Sequence, residues 1–133
     1  KGIEIWNSRQ WSAVSVEEMD AIGSDMGLSG GVRAEWVGAN LLFSGYSALT
    51  QLPPMTRLVF PSGLVLLVYV ENLPCIWPGE VMCEQDPNIS TETARQFSRL
   101  ALHRRGIVGW VERAGVARPG DEVRGYLPQS PRE

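Results

Sequence analysis

Arg57-Leu-Val-Phe60, Pro61-Ser-Gly63, Leu64-Val-Leu-Leu-Val-Tyr-Val70 is the stretch that decides the fold: two strands joined by a tight turn. Pro and Gly punctuate the turn, and β-branched and aliphatic side chains fill both flanks. The second strand is apolar on both of its alternating sets, which predicts burial on both faces, as in a small closed barrel. The expected fold class is mainly β, barrel-like, with two or so short α-helices.

Working outward toward the N-terminus, Ala39-Asn-Leu-Leu-Phe43 reads as a short strand, and Gly23 to Gly31, with four glycines, reads as a loop. Trp11-Ser-Ala-Val-Ser-Val16 has strand composition and runs into Ser15-Val-Glu-Glu18, a capping box that predicts a two-turn helix over 16–22 with its stop at Gly23. Toward the C-terminus, Asn72-Leu-Pro-Cys75-Ile-Trp-Pro-Gly79 is expected to be a Pro-flanked turn. Ser90-Thr-Glu-Thr93 opens a helix running to about Arg105, with Gly106 just past its end. Ile107–Val111 and Asp121–Leu127 are expected strands, and 128–133 a polar tail. One domain over 1–133 accounts for all of this.

Charge and composition narrow the function. Twelve Lys and Arg against fifteen Asp and Glu give a net charge of −3, so a broad nucleic-acid footprint is not expected. The apolar run from Leu64 to Val70 is far short of the roughly 20 residues of a membrane span. The only lysine is Lys1; every other basic residue is arginine. Schiff-base chemistry, including catalysis with pyridoxal phosphate, therefore has no interior amine to use. Two cysteines and one histidine are too few for a structural zinc site or a disulfide scaffold, which favours a reducing, cytoplasmic setting.

Few residues are left to carry chemistry. His103, the only imidazole, is expected beside Arg104 and Arg105, whose charge would lower its basicity; it reads better as a surface or capping residue. Neither GxGxxG nor a Walker sequence occurs, and Asn88-Ile-Ser90 reads as a helix cap rather than a glycosylation site. Trp77 is a candidate pocket wall. Cys75 stands out, because a Pro-fixed turn after a buried strand would expose and orient its sulfur, and a nearby Arg would stabilise a thiolate. Cys83 reads as a small hydrophobe, with a Cys75–Cys83 disulfide left open as an oxidised alternative.

Taken in order, several pieces resemble a MOSC domain, the family named for the C-terminal domain of molybdenum-cofactor sulfurase. They are Arg9-Gln10 before the strand at Ser12, the Glu17-Glu18 helix, Gly38-Ala-Asn40-Leu41 with Gly45, Leu52-Pro53, Arg57-Leu58, Leu73-Pro74-Cys75, Arg104-Arg105-Gly106, Val111-Glu112, Gly115 and Gly120-Asp121. The resemblance implies a β-barrel-like fold and a family cysteine, here Cys75, that carries sulfur as a persulfide or ligates molybdenum. It implies the molybdenum cofactor, molybdopterin, as the group to be bound. Asn40 maps beside that cofactor, and Arg9, Arg104 and Arg105 are candidates for its anionic groups, with helix capping as the alternative for the last two. The Gly-Asp-x-His-like stretch that the family carries before Arg9 is not visible, so that part of the pocket is expected to be absent or upstream of residue 1. Gly38 stands where the amidoxime-reducing members have an Arg. This chain therefore resembles the small stand-alone bacterial branch.

Three functions follow from the resemblance. The first is a sulfur carrier in which Cys75 accepts a persulfide from a cysteine desulfurase, a pyridoxal phosphate enzyme, and passes it to a metal–sulfur centre or a molybdoenzyme. The second is a small molybdenum oxidoreductase with Cys75 as metal ligand; the third is a module that binds an anion or a partner without chemistry. Exposed sheet edges would favour a homodimer.

Overall fold

A computed structural model describes residues 6–129; Lys1 and the end of the polar tail, 130–133, lie outside the described residues. Among its described residues the chain forms six short strands interspersed with four α-helices and two 3₁₀ turns. Its elements in order are β1 (Trp11–Ser15), α1 (Val16–Asp25), a 3₁₀ turn (Ala34–Val37), β2 (Leu41–Phe43), a second 3₁₀ turn (Leu49–Gln51), β3 (Arg57–Val59), β4 (Val65–Glu71), α2 (Trp77–Gln85), α3 (Thr91–Arg95), α4 (Phe97–Leu100), β5 (Ile107–Arg113) and β6 (Arg124–Tyr126). They fall into two compact units, one built from the described residues up to Trp11, Leu52–Val70 and those from Val108 on, the other from Ser12–Gln51 and Glu71–Ile107.

The first unit holds the hairpin. β3 and β4 pair antiparallel with Leu58 opposite Leu66 and Val59 opposite Val65, and Gly63 takes a φ of 93° in the turn between them, a conformation glycine adopts without steric cost. The strand order here is β5-β4-β3-β6. Leu66, Leu67 and Val68 are buried in succession, which is the two-sided burial that the apolar run foretells, although Tyr69 turns outward against Trp110. β6 is shorter than the expected 121–127, because only Arg124, Gly125 and Tyr126 face β3 partners.

The second unit carries the helices. β1 and β2 run parallel, Ala13 opposite Leu41, and Met19, Ile22, Trp36, Met82 and Phe97 pack a common core with Val14. The capping box forms: Ser15 Oγ accepts from the Glu18 amide at 3.1 Å and donates to the Glu18 carboxylate at 2.9 Å. Gly23 does not stop α1; it lies buried inside the helix against the backbone of Gly30 and Gly31, and the chain turns only at Gly27, whose φ is 75°.

The long helix expected from Ser90 to Arg105 is also broken up. Ser90 caps it as expected, but at Gln96 the amide bonds only three residues back, to Thr93. Beyond Leu100 the Arg104 guanidinium takes the Leu100 carbonyl, 3.1 Å from its Nε, so a side chain satisfies the acceptor that another helical turn would have used. His103 then adopts a left-handed φ of 65°.

A buried network fixes the start of β5. The Gly106 amide donates to Thr50 Oγ1 at 2.9 Å, and that hydroxyl donates to the Glu18 carboxylate at 3.0 Å, which also receives the Thr50 amide. Burial pushes the Glu18 carboxyl above its ordinary value of 4.5, against the pull of the Ser15 and Thr50 hydrogen bonds. A carboxyl whose folded value is raised holds its proton more readily in the folded state, so its contribution is greatest at low pH and declines as pH rises through the raised value. Glu18→Gln, which keeps an oxygen acceptor, should therefore gain on wild type in urea unfolding as pH is raised from 4.5 toward neutrality; a pH-independent difference between the two proteins would refute this.

Candidate functional site

Pro74 and the end of β4 deliver Cys75 to the surface just before α2, and the thiol is exposed and unpaired. α2 corrects the expectation of a mere turn at 72–79: Pro78 sits in the first helical turn, where its missing amide costs nothing and its fixed φ suits the helix. Ile76 already has helical backbone angles, φ −78° and ψ −21°. Leu73, Ile76 and Trp77 around the cysteine are each more than 60% exposed. Trp77 is not the pocket wall; Ile76 is.

That wall belongs to a groove of about 330 Å³ lined by Cys75, Ile76, Gly79, Glu80 and Cys83 on one side and Thr91, Ala94, Arg95 and Ser98 on the other. Cys83, read from sequence as a small hydrophobe, thus shares a groove with Cys75 while also packing on the core. The two remain free thiols.

Arg105 is the second notable residue. It is buried, and its Nη2 donates to the Val37 carbonyl at 2.8 Å, while Nε and Nη1 have no hydrogen-bond partner. Burial pushes its guanidinium below the usual range, and its electrostatic attraction to Cys75 opposes that shift. Val37 ends the 3₁₀ turn three residues before Asn40, whose side-chain oxygen accepts from the Ser12 amide at 2.9 Å. Arg104, the neighbouring candidate, is committed elsewhere, to Asp25 at 2.9 Å and to the Leu100 carbonyl. Arg9 is exposed and belongs to the other compact unit. His103 meets Glu71 at 2.9 Å on the surface.

The sequence profile of the MOSC domain matches residues 3–124. The chain belongs to the MOSC domain family. YuaD of Bacillus subtilis (strain 168), named as a candidate metal-sulfur cluster biosynthesis protein, is 46% identical over 123 residues, 92% of this chain and 63% of its own length. This MOSC chain therefore spans a little under two thirds of that relative. The crystal structure of the Bacillus subtilis YuaD protein superposes with a TM-score of 0.88 at 45% identity, covering 96% of this chain and 69% of that one. The mainly β fold with short helices is thus the MOSC fold, and no helix among the described residues is long and apolar enough to cross a membrane.

The family's association with the molybdenum cofactor can be set against the residues present. Two buried, unpartnered guanidinium nitrogens on Arg105 are donors that an anionic group would satisfy, and an exposed thiol suits a thiophilic metal. Among the described residues no three His, Cys, Asp or Glu side chains are grouped to hold a metal ion. The residues fit such a group. An unmet buried donor costs about 1–3 kcal/mol, so Arg105→Met should be at least as stable as wild type in anion-free buffer. It should also lose the rise in melting temperature that inorganic pyrophosphate gives wild type. A pyrophosphate response that survives in Arg105→Met would remove Arg105 from the site.

Proposed function

We propose that this MOSC-domain protein is a sulfur carrier for metal–sulfur cluster or molybdenum-cofactor assembly, with Cys75 as the carrying residue. The observation that carries the reading is an exposed thiol at the mouth of a groove, within electrostatic reach of a buried arginine whose remaining donors are unpartnered. The relative named for metal-sulfur cluster biosynthesis supports it. The donor is a cysteine desulfurase, which supplies the pyridoxal chemistry that needs an interior lysine.

In the transfer, the Cys75 thiolate attacks the outer sulfur of the donor's persulfide. A new S–S bond forms on Cys75, the donor's S–S bond breaks, and the donor leaves as a thiolate with the bonding electron pair. The reverse attack by an acceptor thiolate unloads the sulfur, so neither step needs an external oxidant or reductant. Arg105 lies within electrostatic reach of that sulfur. When bound, a molybdenum cofactor would supply a metal to which sulfur can be attached. Toward that group Arg105 would hold an anionic part, Asn40 would offer its amide, and Cys75 would present sulfur.

The test is intact-mass spectrometry, with molybdenum analysis, of the chain after incubation with a cysteine desulfurase and L-cysteine. The expected result is a gain of about 32 Da that dithiothreitol removes. A bare mass, together with a Cys75 that resists alkylation until the protein is unfolded, would overturn the reading. Stoichiometric molybdenum without the sulfur adduct would replace it with a metal-ligand role for Cys75.

A further inference from the structure

The groove beside Cys75 has more structure than a carrier of sulfur between proteins requires. From the N-cap of α2 onward it is lined by Ile76, Gly79, Glu80 and Cys83, and on α3 and α4 by Thr91, Ala94, Arg95 and Ser98. Each set follows the i, i+3, i+4, i+7 spacing of one helical face. The floor is where the two faces touch: a Cβ on Gly79 would lie 2.6 Å from the Ala94 carbonyl oxygen and 3.6 Å from the Ala94 Cβ. One residue beyond each floor position stand Glu80 and Arg95. These are opposite charges lining one cavity, yet they make no ion pair with each other or with any other described residue. The cavity, at about 330 Å³, is at the small end of ligand pockets, which run roughly 300–1,000 Å³.

A small pocket with an unpaired cation, an unpaired anion, two hydroxyls and two thiols matches one class of molecule, an α-amino acid bearing a sulfur side chain. We propose that the groove binds a free amino acid thiol or persulfide of cysteine size, its carboxylate on Arg95, its ammonium on Glu80 and its sulfur against Cys75. The substrate class is then a low-molecular-weight persulfide that loads Cys75 alongside a protein donor. The transfer rests on the sulfur-carrier reading, whereas the binding does not. In it the Cys75 thiolate attacks the outer sulfur of the amino acid persulfide, the new S–S bond forms on Cys75, and the amino acid departs as its thiolate with the electron pair of the broken bond. The charged ends fix the ligand's orientation, since only a molecule carrying both groups forms both charge-assisted hydrogen bonds.

The test separates binding from sulfur transfer by using an inert probe. S-methyl-L-cysteine cannot donate sulfur, so the measurement is how far it protects Cys75 from iodoacetamide in the full chain. Two truncated probes accompany it: 3-(methylthio)propionate, which lacks the ammonium, and 2-(methylthio)ethylamine, which lacks the carboxylate. Wild type should be protected best by the zwitterion. Arg95→Ala should weaken protection by the zwitterion and the acid about tenfold while sparing the amine; Glu80→Gln should do the same to the zwitterion and the amine while sparing the acid. Both residues are exposed, and a merely structural defect would not produce this crossed pattern. No protection by about 10 mM S-methyl-L-cysteine, a concentration that would fill a millimolar site, or protection indifferent to both substitutions, would overturn the proposal. Mass gain at Cys75 is read separately: protection without any sulfur uptake keeps the groove and discards the carrier, and uptake without protection does the reverse.

Discussion

Cys75→Ser should abolish sulfur uptake while leaving the fold untouched. A serine hydroxyl cannot hold sulfane sulfur, so the gain of about 32 Da should vanish altogether rather than shrink. The substitution removes no packing, because Cys75 is exposed and makes no disulfide; its effect on stability should stay within about 0.5 kcal/mol. Cys83→Ser is the necessary companion. Cys83 lines the same groove and packs against the core, and its thiol is the other soft nucleophile in the chain. If Cys75 is the carrier, Cys83→Ser still takes up one sulfur and Cys75→Ser takes up none. Uptake that persists in Cys75→Ser and disappears in Cys83→Ser would transfer the role to Cys83 and dissolve the functional reading of the Pro74-Cys75 turn.

How far the sequence anticipates this arrangement depends on where the signal lies. The hairpin at 57–70 and the Ser15 and Ser90 caps are local: a short apolar run after Pro-Ser-Gly, and a Ser placed just before a helical stretch, each report on neighbours within a few residues, and all three form. α2 was legible only in part. Trp77-Pro78-Gly79 carries the residues of a turn, and the same Pro opens a helix when the chain beyond it packs through Met82. The end of the helical region was not legible, since it depends on the Arg104 side chain reaching back to Leu100 and across to Asp25. For the site, sequence singles out Cys75 by its Pro-fixed setting. The difference between Arg104 and Arg105 is invisible in the chain: adjacent residues of one type, one paired at the surface and the other buried with open donors, are told apart only by tertiary structure. The groove likewise needs α2 and α3 to meet at Gly79 and Ala94, residues fifteen positions apart with no local signature of contact.

Gly106→Ala should be among the most damaging single substitutions in the chain. Gly106 has a φ of 103°, in the left-handed half of conformational space that side chains strongly disfavour. A Cβ there would also run into the carbonyl oxygen of Ala13 in β1 and lie 2.9 Å from Val14 Cγ1; both are core positions that cannot give way cheaply. The same residue donates its amide to Thr50 and accepts the Asn72 amide at 2.8 Å, so its displacement would disturb the Glu18 network and the exit from β4 that leads to Cys75. Strain, overlap and lost hydrogen bonds together should cost about 3–5 kcal/mol in urea unfolding. Gly120→Ala isolates the backbone part of that cost. Gly120 has a φ of 88°, but nothing lies within 4 Å of where its Cβ would be. It should lose only about 1–2 kcal/mol. If the two variants proved equally stable, the close approach at Gly106 would carry no energetic weight, and Arg105 would owe its position to its own contact with Val37 rather than to the glycine that follows it.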